Sequence, residues 1–300
     1  MKITIIGAGF VGTATGIGLA KHGNDVVLID VDPDRIKHLK KQGLNAKLAS
    51  ERKSIESEVT MLCVPTPTKG GSIQLNYIEA AISEFAELLK IHKEYHVIVI
   101  RSTVPPKTTR TIVVPLIEKI SGKKSGKDFG VCMQPEYLRE LTANADYERP
   151  RYVLIGEFDK RSGDVLEKIY QPFEAPTDRC SLDEAEFQKY VHNTYNAVKI
   201  AFFNEMRVVA NKEGWDAGRV FTATAESSEG IWNPMYGLRD HGPFDGSCLP
   251  KDTRALLQWG DNNKHDLVIL RSIIAANIEH EAILGKNETV RVNYLANISL

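Results

Sequence analysis

Apolar residues arrive in short blocks through the first half of this chain and at helical spacing through the second. The blocks at 2–6, 25–29, 59–64, 96–100, 129–133 and 152–155 are rich in Ile, Val and Leu and predict strands. Between them, amphipathic stretches at 11–22, 75–89, 108–120 and 159–169 predict helices. Strands alternating with helices mark a parallel sheet covered on both faces. The polar stretch 40–58 reads as a connection. From 182 to 213 there is neither Gly nor Pro, while Phe187, Val191, Tyr195, Val198 and Phe202 recur with helical spacing. At 1.5 Å per residue this predicts a helix of roughly 45 Å. Further helices are predicted near 217–227, 252–260 and 267–284, and a small strand at 290–295. The pattern separates an α/β domain, 1–180, from a helical domain, 181–300, with the long helix as spine and as the contact of a homodimer.

Charge narrows the partners. There are 38 basic and 39 acidic side chains, so neither nucleic acid nor a membrane surface finds an electrostatic footprint. No apolar run approaches the roughly 20 residues needed to span a bilayer. The chain opens on a strand without a signal-peptide pattern. The four cysteines are scattered, without C-x-x-C or zinc spacing, and fit a reducing compartment. None of the eight His falls at a catalytic or metal-ligand spacing. A soluble, cytoplasmic protein is expected.

Strand 2–6 is followed at once by Gly7-Ala8-Gly9-Phe10-Val11-Gly12, then by a helix, then by a strand ending in Asp30. That order is the context a dinucleotide-binding βαβ unit requires. Gly7 permits the tight turn, Gly9 lets the backbone approach a pyrophosphate, and Gly12 lets helix and strand pack closely. The helix N-terminus faces the phosphates. Asp30 accepts hydrogen bonds from ribose hydroxyls and repels a 2′-phosphate, which favours NAD over NADP, although Arg35 close by weakens that preference. The fold class is therefore a Rossmann-like, doubly wound parallel sheet followed by an all-α central domain.

Other strand ends carry polar groups where such sheets bind ligands. Pro65 and Thr66 follow one strand; Ser102 and Thr103 follow the next, either as helix caps or as hydroxyls offered to a site. Glu136 and Glu140 follow a third at one-turn helical spacing, and Lys189 and Asn193 share one face of the long helix. Gly246-Ser247-Cys248-Leu249-Pro250-Lys251-Asp252 sets a thiol, an ammonium and a carboxylate within five residues. Pro250 suits the first turn of a helix, whose free N–H groups would favour a thiolate at Cys248.

Taken together these segments resemble the UDP-glucose/GDP-mannose dehydrogenase family: the glycine motif, Cys63-Val64-Pro65-Thr66-Pro67, Ser102-Thr103-Val104-Pro105, Pro135-Glu136-Tyr137-Leu138-Arg139-Glu140, the Lys189/Asn193 helix with Phe203-Asn204-Glu205, and the Cys248 motif, in that order. The resemblance implies an enzyme that oxidises the C6 hydroxyl of a nucleotide hexose, with UDP-glucose the first choice, to the uronate with two NAD. It makes Cys248 the nucleophile that forms a thiohemiacetal and then a thioester. Lys189 with Asn193 stabilises the oxyanion; Asp252 and Thr103 hold water or relay a proton; Glu136 is the base for hydrolysis. Gly7, Gly9, Phe10, Val11, Gly12, Asp30, Arg35, Pro65, Thr66, Ser102 and Glu140 fall to the cofactor, and Tyr137, Leu138, Arg239 and Lys251 to the substrate.

Three departures bear on the substrate. The chain ends after the second domain, so a short form without the family's third, nucleotide-clasping domain is expected. It lacks the family's P-x-x-E-P-G segment, and Asp245 stands where the family has Gly. Two alternatives stay open: a β-hydroxyacid-type dehydrogenase acting on a smaller substrate, and a non-catalytic NAD-binding regulatory protein.

Overall fold

The computed structural model describes residues 1–139, 141–238 and 242–285, and the chain divides into two compact units between His192 and Asn193. The expected strand at 290–295, and the calls on Glu140 and Arg239, lie outside the described residues.

The first unit runs β1 (Lys2–Ile6), α1 (Phe10–Lys21), β2 (Asp25–Asp30), α2 (Pro33–Lys41), β3 (Ala46–Leu48) and β4 (Val59–Leu62). A small hairpin, β5 (Thr68–Lys69) with β6 (Ser72–Ile73), leads to α3 (Asn76–Ile91) and β7 (His96–Ile100). A π-helical turn at Thr109–Val113 runs into α4 (Val114–Ser121), followed by β8 (Phe129–Met133) and α5 (Ala143–Glu148). The unit closes with β9 (Val153–Glu157), α6 (Lys160–Tyr170), β10 (Thr177–Ser181) and the start of α7 (Leu182–Lys212).

Eight strands form one sheet in the order β10-β9-β8-β7-β4-β1-β2-β3. Every residue of β7 and of β8 is buried, as their unbroken apolar runs require of strands covered on both faces. One face packs Phe85, Ile82 and Leu89 of α3 against Ile98 and Val131; the other packs Leu19, Leu166 and Ile169 against Ile5, Met61 and Val99. After β3 the chain returns across β1 to β4, so the strand order reverses beside β1. The carboxyl ends of β1, β4, β7 and β8 converge on the crevice this leaves.

Several elements differ from expectation. The 40–58 connection contains β3, a three-residue edge strand too short to show alternation. The sheet also gains β10, whose sequence Thr-Asp-Arg-Cys-Ser has no apolar pattern because it lies at the other edge. It is not wholly parallel either: β8 and β9 pair antiparallel, an arrangement common at the margins of such sheets. Finally, residues 134–139 have no regular structure, so Glu136 stands on an irregular segment rather than on a helix.

The second unit holds the remainder of α7, then α8 (Ala217–Ser227), α9 (Glu229–Trp232), α10 (Leu249–Asn262) and α11 (Val268–Gly285). Val209, Leu267 and Leu270 form its small core, with Met206, Leu257 and Ile274 packed around them. Among the described residues no helix is long and apolar enough to cross a membrane.

Candidate active site

A cavity of about 580 Å³ opens at the sheet's reversal point. Gly7, Gly9, Phe10 and Val11 line it from β1 and α1; Asp30, Asp32 and Arg35 from the end of β2 and α2; Val64, Pro65 and Thr66 after β4; Arg101, Ser102 and Thr103 after β7; and Glu136 after β8.

The glycines do three different things. Gly7 has φ +91°, and a Cβ there would sit 2.6 Å from the Cys63 carbonyl oxygen. At Gly12 a Cβ would lie 1.9 Å from the Gly7 oxygen, so α1 could not pack so close to the strand end. Gly9 is unlike both: a Cβ would meet only Arg35 Nη1, at 3.8 Å. The protein itself therefore does not demand glycine at position 9; a ligand backing onto α1 does. Gly9 is also the N-cap of α1 and supplies no side chain to the helix's first N–H groups, and no acidic residue lies in the first turn. By contrast, Asp32, Asp159 and Asp216 cap α2, α6 and α8. The uncapped donors and the bare Cα fit a pyrophosphate.

Asp30 is buried to 7% exposure. Its Oδ2 accepts from the Ala8 amide (2.8 Å) and from Arg35 Nη1 (3.2 Å), and Oδ1 accepts from the Asp32 amide (3.0 Å). Of roughly four acceptor positions on a carboxylate, one stays open on Oδ1 for a ribose hydroxyl. Asp32 and Glu84 line the same cavity and add negative charge against a 2′-phosphate. These residues fit NAD.

The post-strand loops are fixed by their own polar groups. Thr66 Oγ1 donates to the Thr103 carbonyl (2.8 Å), and Ser102 Oγ donates to the Val64 carbonyl (2.7 Å). Ser102 and Thr103 therefore cap no helix, since the next helical turn begins only at Thr109; they tie the β4 and β7 loops together. Arg101, assigned no role from sequence, is buried beneath them and donates to Gln134 Oε1 and to Tyr170 Oη (3.0 Å). Tyr77, Ala80, Ala81 and Glu84 on α3 also line the cavity and were missed. Their spacing of three and four marks one helical face, the available signal.

Glu136 joins this cavity to α7. Lys189 Nζ donates to Glu136 Oε1 (3.0 Å) and to the Glu136 carbonyl, with both side chains largely shielded from water. Glu136 Oε2 accepts from the Leu138 amide (2.7 Å). Lys189 Nζ also lies 5.5 Å from the centre of the Tyr137 ring, whose hydroxyl donates to Gln188 Oε1 (2.6 Å). The Leu138 side chain packs against the sheet's second apolar face. Asn193, one turn beyond Lys189, is exposed.

In the second unit, Cys248 is the N-cap of α10, Pro250 occupies the first turn as expected, and the helix begins at Leu249. Cys248 is exposed, with Ser247 Oγ 3.7 Å from its sulfur and the Asp252 amide donating to its carbonyl (2.8 Å). Lys251 Nζ pairs with Asp252 Oδ1, and both are solvent-exposed. The three remaining thiols differ in kind: burial pushes Cys63 up to about 11, Cys132 up to about 12 and the half-buried Cys180 up to about 11.

Comparison with known proteins gives the same picture. The chain matches the UDP-glucose/GDP-mannose dehydrogenase family's NAD binding domain over residues 1–47 and 40–174, and the family's central domain over residues 183–279. It is 37% identical over 298 residues to a protein named GDP-mannose 6-dehydrogenase from Pseudomonas syringae pv. tomato, covering 92% of this chain and 68% of that one. It is 30% identical over 301 residues to a protein named UDP-glucose 6-dehydrogenase from Haloferax volcanii, covering 92% and 69%. Among solved structures, a ternary complex of GDP-mannose dehydrogenase from Pseudomonas aeruginosa superposes with a TM-score of 0.88 at 35% identity, over 93% of this chain and 69% of that one. A UDP-glucose dehydrogenase from Pyrobaculum islandicum superposes with a TM-score of 0.70 at 30% identity, over 93% and 68%. With the nucleotide cradle, the reversal-point cavity and two matched domains in hand, this chain belongs to the UDP-glucose/GDP-mannose dehydrogenase family, and is an oxidoreductase acting on CH–OH with NAD as cofactor.

Proposed function

We propose that the protein oxidises the C6 hydroxymethyl of a nucleotide-linked hexose to the carboxylate, in a reducing cytoplasm, with Cys248 as nucleophile. The observation that carries the reading is the shielded Lys189–Glu136 pair, whose Glu136 lines the dinucleotide cavity. A cation and a carboxylate held together beside a hydride acceptor suit a reaction that first develops an alkoxide and then needs a base.

NAD, held by the Gly7–Gly12 turn and Asp30, would supply the hydride acceptor for both oxidations, and the hydroxyl proton of the alcohol leaves through the Thr103 and Asp252 relay. The Cys248 thiolate attacks the intermediate aldehyde; a C–S bond forms and the carbonyl electron pair becomes an alkoxide. In this reading Lys189 and Asn193 stabilise that alkoxide. Its collapse with loss of hydride gives a thioester on Cys248. Glu136 takes a proton from water, the new C–O bond forms, the C–S bond breaks, and the thiolate is regenerated. Thr103 and Asp252 hold the water and relay protons, while Lys251, Tyr137 and Leu138 serve the substrate.

A GDP-linked hexose is the leading substrate, because the relatives at 36–37% identity bear the name GDP-mannose 6-dehydrogenase. UDP-glucose, the first choice from sequence, is the second reading and rests on relatives at 30%. Exposed Phe187, Val191, Tyr195 and Val198 follow one another at helical spacing on α7, and we assign this stripe to a homodimer contact.

The test is NADH appearance with GDP-mannose, UDP-glucose and UDP-N-acetylglucosamine, in wild type and Cys248→Ser. Two NADH per sugar in wild type, with the second oxidation lost in the variant, supports the reading. NAD binding without turnover on any sugar nucleotide overturns it.

A further inference from the structure

We infer that Asn277 is a positioning residue for the nucleophile: its side-chain amide clamps the backbone of Phe244 and so sets where the Cys248 loop enters α10. The inference rests on the reading of Cys248 as nucleophile. Asn277 Oδ1 accepts from the Phe244 amide at 2.7 Å, and Asn277 Nδ2 donates to the Phe244 carbonyl at 3.1 Å. One planar amide thus satisfies both polar groups of a single residue, a pairing that fixes orientation as well as distance.

The clamp sits where the loop has least support of its own. Residues 243–247 form no helix or strand, Asp245 to Cys248 are exposed, and Gly246 has φ +86°. Cys248 lies only four residues beyond Phe244, so a fixed Phe244 limits where the thiol can go.

Asn277 is itself held in place. It lies on α11, whose N-terminus is capped from α7: Glu205 Oε1 accepts from the Ile269 amide (2.7 Å) and Oε2 from the Leu270 amide (3.2 Å). A carboxylate at a helix N-terminus satisfies free donors and complements the dipole. Glu205 belongs to the Phe203-Asn204-Glu205 motif, which the proposed chemistry leaves without a task. The connection then runs from Glu205 through α11 to Asn277, and from Phe244 along the loop to Cys248, all within the second unit.

The test uses Asn277→Ala and Asn277→Asp in the full chain, with the sugar nucleotide that wild type oxidises fastest. Asp keeps the size of Asn but turns an oxygen toward the Phe244 carbonyl, so a space-filling role predicts rescue and a clamp predicts none. The expected result is kcat lower by about 100-fold in both variants, the cost of a displaced reacting group. NADH per sugar should fall from two toward one, with aldehyde released, while NAD affinity stays within about twofold because Asn277 is not part of the cofactor cavity. Wild-type kcat with two NADH per sugar in either variant overturns the inference. Should the Asn277 variants fail to fold, Glu205→Gln decides: a drop of about 10-fold in kcat with a lowered NADH ratio supports it, and unchanged values overturn it. Cys248→Ser, run alongside, separates the two claims. Full four-electron turnover there removes the nucleophile reading itself, whereas a stalled Cys248→Ser beside normal Asn277 variants removes only the clamp.

Discussion

Lys189 on α7 reaches across 53 residues of sequence to Glu136 and meets its carboxylate at 3.0 Å, with side-chain exposures of 7% and 14%. At such shielding, removing one partner strands the other's charge, at a cost of about 3–5 kcal/mol. Lys189→Met and Glu136→Gln should each lower the urea midpoint, and the double variant should regain most of the loss. Turnover should fall by about 10²–10³ wherever Lys189 is missing, the size expected for an oxyanion stabiliser. Recovery of activity together with stability in the double variant would count against a chemical role.

Gly7 and Gly9 should part company under the same substitution. Gly7→Ala places a methyl 2.6 Å from a carbonyl oxygen at φ +91°, and should destabilise by more than about 2 kcal/mol. Gly9→Ala meets nothing closer than 3.8 Å, and should change stability by less than about 1 kcal/mol. Its NAD affinity should nonetheless fall at least about tenfold, because the methyl occupies the space of the pyrophosphate. Thermal melts and calorimetric titration with NAD check both halves.

His96 sets part of the acid limit. It is fully buried in β7, its Nδ1–H donating to the Ser57 carbonyl (3.0 Å) and its Nε2 accepting from Thr60 Oγ1 (2.9 Å). Burial, with His92 and Arg52 adding to it, pushes the imidazole down to about 3. Unfolded, the ring titrates near 6.5, so between roughly pH 6.5 and pH 3 the unfolded chain binds a proton that the folded chain refuses. Unfolding free energy should therefore fall as pH drops through that window, by at most about 1.4 kcal/mol per pH unit from this group. His96→Gln should flatten the slope in urea titrations at pH 7, 6, 5 and 4; an unchanged slope would discard the assignment.

Thiol chemistry offers a check that needs no substrate. Iodoacetamide at neutral pH should label Cys248 first, since Cys63 and Cys132 are buried with thiols pushed up to about 11 and about 12, and the half-buried Cys180 is pushed up to about 11. Peptide mass spectrometry after partial labelling would show it, and early modification of Cys63 would contradict the burial.

The cofactor half of the site was legible because it is local. A strand, three glycines, a helix and an Asp at the end of the next strand are contiguous, and Gly7 and Gly12 answer to contacts within the same unit. The strands at 96–100 and 129–133 were legible for a related reason, since burial on both faces writes an unbroken apolar run. What stayed hidden is long-range or marginal. Glu136 stands on an irregular segment, 134–139, and its partner Lys189 lies 53 residues further along on α7. Edge strands β3 and β10 carry no pattern because β3 buries one residue, Ala46, and no residue of β10 is fully buried. Arg101 ends an apolar strand, and nothing along the chain announces that Gln134 and Tyr170 await it.

The bare N-terminus of α1 reaches beyond binding to the lifetime of the protein. A helix whose first donors receive no side chain begins with a weak turn, and that turn is the floor of the cofactor cavity. A dinucleotide seated there completes the fold as much as it fills a site. Each tenfold rise of NAD above its dissociation constant adds about 1.4 kcal/mol to the folded state, and lowers about tenfold the unfolded fraction exposed to a protease. The abundance of the enzyme in a cell thus becomes tied to the supply of the molecule it consumes.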